Sequence, residues 1–323
     1  MRCLLNDSPG KPAPLYHRLE CRSARTLCVG VGVPEAASAA CILVMIAVSL
    51  LWNGWAGIFW HPALGPIVAG PVVLLLLSLI YTAIRPVPVI AEIVFYLALW
   101  SLFPIFAVRL TYLCYTIGYP LADAALSQAD AALGFHWRDW AVFVQAHPLF
   151  DLAQRVSYAS YWWQPFALIL TAAISRPRQR NAEIFTALSL ALLLTLIITS
   201  FLPAIGPAEA FGLHPEPAPV VHALYAGARG QTLPYAGIVS FPSFHTVMAV
   251  LFAYGCRGLR WLFPVAIAFN ALMVVSVPLC GDHYLVDVLA GAAVAAVSIG
   301  ATGRLARLCG RQPTLRGARR IRV

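Results

Sequence analysis

Pro71–Ile84 reads PVVLLLLSLIYTAI, and Ala187–Leu202 reads ALSLALLLTLIITSFL. Neither stretch holds a charged residue, and each extends towards the roughly 20 apolar residues that a helix needs to cross a bilayer. They give the expected spans 66–84 and 184–203. Outward from them, apolar runs at 36–59, 89–116, 160–176, 241–257, 260–279 and 284–303 complete an expected set of eight. The chain therefore reads as an all-α integral membrane protein, a polytopic helix bundle. The runs at 241–257 and 284–303 carry a histidine or an acid near one end, the pattern of spans that build a site.

Composition excludes other classes. Of the 323 residues 60% are hydrophobic and 11% charged, against about 25% charged in soluble domains. So few charges cannot cover a water-soluble body of this size, and so apolar a chain is not disordered. The net charge of +9 has the sign of a nucleic-acid binder, but its placement argues against one. Seven arginines (Arg304, Arg307, Arg311, Arg316, Arg319, Arg320, Arg322) crowd the last 20 residues, and five basic residues precede position 30. With an even number of spans, both tails share one side with Arg85, Arg176, Arg178, Arg180, Arg257 and Arg260. That side collects 18 of the 22 Lys and Arg, so the positive-inside rule makes it cytoplasmic. The expected layout is a cytoplasmic tail over 1–35, a membrane domain over 36–303 and an Arg-rich cytoplasmic tail over 304–323, in a plasma or inner membrane. The eight cysteines have no metal-ligand spacing and read as separate thiols.

Two long loops, 117–159 and 204–240, fall on the exterior or periplasmic side. In the first, WRDWAVFVQ (137–145) puts Trp137, Trp140 and Val144 on one helical face, as expected of a helix lying in the interface. The second opens FLPAIGPAEAFGLHPEPAPVV (201–221) and, rich in Pro and Gly, reads as irregular.

Two further phrases carry chemistry. In Ser240-Phe241-Pro242-Ser243-Phe244-His245, Ser240 reads as an N-cap and Pro242 as an early helix residue. Free backbone N–H groups there, that of Phe244 included, and the Ser243 hydroxyl suit a phosphate. In Gly281-Asp282-His283-Tyr284-Leu285-Val286-Asp287, His283 and Asp287 are four apart and share a helical face. A carboxylate on one imidazole nitrogen fixes the tautomer and leaves the other nucleophilic. His245 has Ala249 at i+4 and no such acid, which suits it to the role of proton donor. A nucleophilic His, its carboxylate and a second His as acid suffice for phosphoryl transfer through a phosphohistidine, with no metal or cofactor. Asp282 reads either as a support for this site or as an acid favoured by its own helix dipole.

At these residues the sequence resembles the type 2 phosphatidic acid phosphatase superfamily of membrane phosphoesterases. The shared features are P-S-x-H opening one helix and H-x-x-x-D opening a later one. Phe241-Pro242-Ser243-Phe244-His245 and Asp282-His283-Tyr284-Leu285-Val286-Asp287 are most similar to the branch of the inositol phosphorylceramide synthases, and H-Y-x-V-D wording is also similar to sphingomyelin synthases. The resemblance covers about 90–303 and includes Leu202-Pro203-Ala204-Ile205-Gly206-Pro207. It implies a six-helix catalytic core, His283 as nucleophile, Asp287 as its orienter, His245 as the acid and Ser243 on a phosphate oxygen. It also implies a lipid phosphate substrate, with a lipid or polyol hydroxyl, or water, as acceptor.

The family pattern is incomplete. Its K-x6-R-P motif has no counterpart beyond Ser78-x6-Arg85-Pro86, and Ser276-Val277 stands where Ser-Arg is usual. A phosphate dianion in a low-dielectric site still needs a cation. The candidates are Arg109, Arg229 and Arg155, with Arg138 expected to pair with Asp139 or a headgroup. Simple hydrolysis of a lipid phosphate or polyprenyl diphosphate is the near alternative. A proton-coupled transporter with His245, His283, Asp287 and Arg109 as a relay is the alternative of another class. A relay requires polar residues reaching the cytoplasmic side, which the spans at 241–257 and 284–303 do not offer.

Overall fold

The structure, a computed structural model, describes residues 33–57, 64–175, 179–213, 217–227 and 237–308. Arg229, Arg176, Arg178, residues 1–32 and 309–323 of the tails, and the histidines at 17, 61 and 214 lie outside the described residues. Every described element is helical. In chain order they are α1 (Val33–Ala56), α2 (Leu64–Leu79, continued by a π turn over Ile80–Ile84), α3 (Pro88–Tyr115), α4 (Asp123–Ala132), α5 (Trp137–Gln145) and α6 (Pro148–Ala159). A 3₁₀ turn over Ser160–Trp162 leads into α7 (Gln164–Ser175), and α8 (Arg180–Phe201) follows. Two short helices, α9 (Pro207–Ala210) and α10 (Pro217–Tyr225), precede α11 (Phe244–Gly255), α12 (Leu262–Cys280) and α13 (Leu285–Leu308).

Among the described residues six helices are long and apolar enough to cross a membrane: α1, α2 with its π turn, α3, α8, α12 and α13. The other two expected spans, 160–176 and 241–257, are the shorter apolar helices α7 and α11. Burial orders the bundle. Some 44% of the most apolar window of α8 and 39% of that of α3 and of α13 are buried, against 11% for α2. Helices α3, α8, α11 and α13 thus form the centre, and α1 and α2 each pack outside it on α3. Leu43, Leu51, Val73 and Leu76 on these two helices are exposed, where lipid would meet them. The main core gathers Tyr96, Phe103, Phe106, Phe185, Leu188, Val247 and Leu251.

Helix α11 sets the depth of what it carries. Twelve residues rise about 18 Å, well short of a hydrocarbon layer of about 30 Å. One end is held at Arg257, which pairs with Glu183 and lies over the Tyr254 ring. The other end, Phe244, stacks on Phe103 with centroids 6.2 Å apart, halfway along α3. The start of α11 is therefore sunk to mid-bundle.

Two loop expectations change. The segment 204–240 is not wholly irregular, because α10 forms within it and buries Val220, Val221 and Leu224. Helix α5 forms as expected, but its Trp137–Val144 face is turned into the protein and not towards an interface. The reason is polar. The indole N–H of Trp137 donates to the Pro278 carbonyl at 2.7 Å, one of the acceptors that the last turn of a helix leaves free. The apolar side chains left exposed on α5 are Val142 and Phe143.

Candidate active site

Ser243 opens α11 and supplies the N-cap, its hydroxyl accepting the Thr246 N–H at 3.4 Å. The cap is thus three residues later than Ser240, and Pro242 precedes the helix. Ser240 is displaced from capping because its hydroxyl donates instead to Asp287 Oδ2 at 2.8 Å. The Ser243 N–H is also spent on the helix opposite, donating to the Asp287 carbonyl at 3.0 Å. The N–H groups of Phe244 and His245 belong to the first turn, which a helix cannot pair internally.

Asp287 does two jobs at the start of α13. It is the third residue of the helix, and its Oδ2 reaches back to the Tyr284 N–H at 2.9 Å, the acidic half of a capping box. The same oxygen accepts from His283 Nδ1 at 3.2 Å. His283 stands before the helix, so the pair meets through this backward reach and not through a shared helical face. The other nitrogen, Nε2, is 3.4 Å from the Ser243 hydroxyl. His283 is 2% exposed and Asp287 wholly buried. Gly281 leaves room for this arrangement: a Cβ there would come within 2.6 Å of His283 Cδ2 and 2.9 Å of the Tyr158 hydroxyl.

His245, second residue of α11, sets its ring 6.4 Å from that of His283. Its Nδ1 is 3.1 Å from the Tyr158 hydroxyl, and the two rings stack. Burial pushes the Tyr158 phenol well above its usual range, so it stays protonated.

Two carboxylates that the sequence reading left without a role hold these loops in place. On α4, Asp130 accepts the N–H groups of Leu285 and Val286 at 2.8 and 2.9 Å, the second pair of donors at the start of α13. Burial raises its pKa, opposed by those two hydrogen bonds. Two turns earlier on the same face of α4, Asp123 accepts from Ile205, Gly206 and the Tyr284 hydroxyl. The signal for both was the i, i+7 spacing of Asp123 and Asp130, but their partners are over 80 residues distant. Asp282 is likewise corrected: it does not serve its own helix. Its backbone has φ +53°, and its Oδ1 turns to the Ala208 N–H of α9 at 2.8 Å.

The consequence is electrostatic. The start of α13 has its donors filled by Asp287 and Asp130, whereas at the start of α11 the N–H groups of Phe244 and His245 meet no acceptor among the described residues. An anion would find its donors on α11.

Of the candidate cations, Arg229 lies outside the described residues, and Arg109 and Arg155 are engaged with other partners. Arg109 is 5% exposed and gives its Nε to Asn53 of α1 at 2.9 Å. It lies six residues beyond Phe103 on α3, about 9 Å nearer the Tyr115 end. Arg155, one turn before Tyr158, is exposed and paired with Asp151 at 3.0 Å. Arg138 is exposed, without an ion pair to Asp139 among the described residues. It lines a cleft of about 460 Å³ with Trp137, Phe211 and Asp282.

Residues 124–301 match the family described as the PAP2 superfamily. The chain belongs to the PAP2 superfamily. This is the group that the two histidine motifs resemble, and membership makes the protein a multi-pass, phosphatase-type membrane enzyme with a phosphate-ester substrate. The matched segment runs from α4 into α13, so it contains His245, His283 and Asp287 and leaves α1, α2 and α3 outside. No curated protein and no solved structure matches this PAP2 chain.

Proposed function

We propose that the protein transfers a phosphoryl or phosphodiester group from a lipid phosphate through a phosphohistidine on His283. The observation that carries this reading is the asymmetry of the two imidazoles. His283 has its Nδ1 on a buried carboxylate and its Nε2 turned to the N-cap of α11, whereas His245 has its Nδ1 on the Tyr158 phenol and no carboxylate partner among the described residues. Nε2 of His283 attacks phosphorus, the bond to the leaving oxygen breaks, and His245 gives that oxygen its proton. The acceptor hydroxyl then loses its proton to His245 while its oxygen takes phosphorus from His283, which is regenerated. Ser243 and the N–H groups of Phe244 and His245 hold the phosphate oxygens.

The motif wording favours a lipid or polyol acceptor, as in the inositol phosphorylceramide synthases that it resembles. Water as acceptor uses the same groups and gives a simple phosphatase. The sunken start of α11 suits a substrate that arrives within the membrane, and the distribution of Lys and Arg places the site towards the exterior or periplasm. A transporter is disfavoured because the buried hydroxyls further along α13, those of Ser298 and Thr302, bond within their own helix and form no relay.

The test uses a radioactive lipid phosphate and acid quenching. His283→Ala should abolish the labelled enzyme. His245→Ala should slow its formation from an alkyl ester by about 100-fold or more, and much less from a nitrophenyl ester that leaves without a proton. Label retained by His283→Ala and lost in His245→Ala reverses the assignment. Products formed with and without an added polyol separate transfer from hydrolysis.

A further inference from the structure

Both imidazoles have Nδ1 fixed by an oxygen, but the oxygens differ in charge. On His283 it is the carboxylate of Asp287. On His245 it is the phenol of Tyr158, 3.1 Å away, with the rings 4.4 Å apart and inclined by 27°. Tyr161 closes the edge of the same imidazole at 5.0 Å, and His283 is the remaining titratable group facing it. No carboxylate among the described residues hydrogen-bonds to His245.

Chemistry gives the difference meaning. An acid that delivers its proton from Nε2 must keep Nδ1–H through the whole cycle, so Nδ1 needs an acceptor. A carboxylate acceptor strengthens an imidazole as a base and nucleophile, which suits His283 and would make His245 reluctant to release its proton. A neutral phenol oxygen accepts the same hydrogen bond without that penalty. It also holds the ring plane by stacking.

We propose that Tyr158 is the positioning residue of the acid: it accepts the Nδ1–H of His245, fixes the tautomer and aims Nε2 at the leaving oxygen. The proposal rests on the reading of His245 as that acid. Neither the P-S-x-H motif nor the H-x-x-x-D motif contains Tyr158, which comes from α6.

Tyr158→Phe keeps the stacked ring and removes only the oxygen. In single-turnover labelling, formation of the phosphoenzyme from an alkyl ester should slow about tenfold, the factor that one hydrogen bond is worth. Formation from a nitrophenyl ester should stay within about twofold of the unsubstituted enzyme, which also shows that the variant is folded. Equal losses with both esters would make Tyr158 a packing residue and overturn the proposal, as would no loss with either. Tyr158→Ala, which loses the stack as well, should be slower than Tyr158→Phe on the alkyl ester. His245→Ala is run in parallel. If it shows no dependence on the leaving group, the acid itself has been misassigned; if it does and Tyr158→Phe does not, only the role of Tyr158 fails.

Discussion

Gly291 is the point where α13 touches the start of α11, and adding one methyl there should disable the site without unfolding the protein. A Cβ on Gly291 would overlap the Ser243 carbonyl oxygen and lie 3.0 Å from Thr246 Cβ and 3.3 Å from the Ser243 carbonyl carbon. Ordinary contact begins at roughly 3.5 Å, so Gly291→Ala requires the Ser243 carbonyl to retreat by roughly 1 Å. The same residue gives its N–H to Asp287, four positions before Gly291, and its hydroxyl faces His283 Nε2. Both contacts stretch when the helices part. A misplacement of about 1 Å at reacting groups costs on the order of 100-fold in rate. Overpacking of this kind costs about 1–3 kcal/mol of stability, which leaves a folded protein. The assay is phosphate release from a detergent-dispersed lipid phosphate, alongside thermal unfolding of the purified protein. Gly300→Ala and Gly303→Ala on the same helix, where a Cβ meets nothing within 4 Å, serve as controls and should retain activity. Gly291→Ala with activity within about threefold of the controls would refute the claim that the Ser243–His283 spacing governs the chemistry.

Further outcomes are expected. Burial pushes the Asp282 carboxyl up to about 6, the Ala208 N–H working against it. A carboxyl raised on folding holds its proton more tightly in the native state. Its favourable contribution is therefore present at low pH and lost as pH rises through about 6. Asp282→Asn should melt higher than the unsubstituted protein at pH 8 and close to it at pH 4, and thermal scans across that range check the sign. Replacement of Arg109, Arg229 or Arg155 by Gln should cost on the order of 100-fold in rate at whichever one neutralises the transferring group; near-normal rates in all three would leave the anion to the α11 N–H groups. Single cysteines labelled from the outer face should react near Ala218 and not near Arg178, and the reverse pattern would turn the site to the cytoplasm.

The membrane class and six of the eight expected spans are legible in the chain alone, because about 20 apolar residues are a local property that no tertiary contact needs to explain; the expected spans 160–176 and 241–257 fold as shorter helices. The sequence also picked out His283 with Asp287 and His245 beside Ser243, since motif spacing within a few residues survives any packing. The physical basis of the first pair was nevertheless misread: the contact comes from a carboxylate that caps its own helix, and His283 lies outside that helix. Long-range partners impose the rest. Ser240 leaves the cap for a carboxylate 47 residues on. Asp130 closes the Leu285 and Val286 donors of α13 from over 150 residues away. Tyr158 reaches His245 across 87 residues, and the Trp137 face turns inward to the Pro278 carbonyl of α12. Each of these is a hydrogen bond between groups that burial obliges to pair. The obligation can be read from residue types, but the identity of the partner depends on which helices the bundle sets side by side.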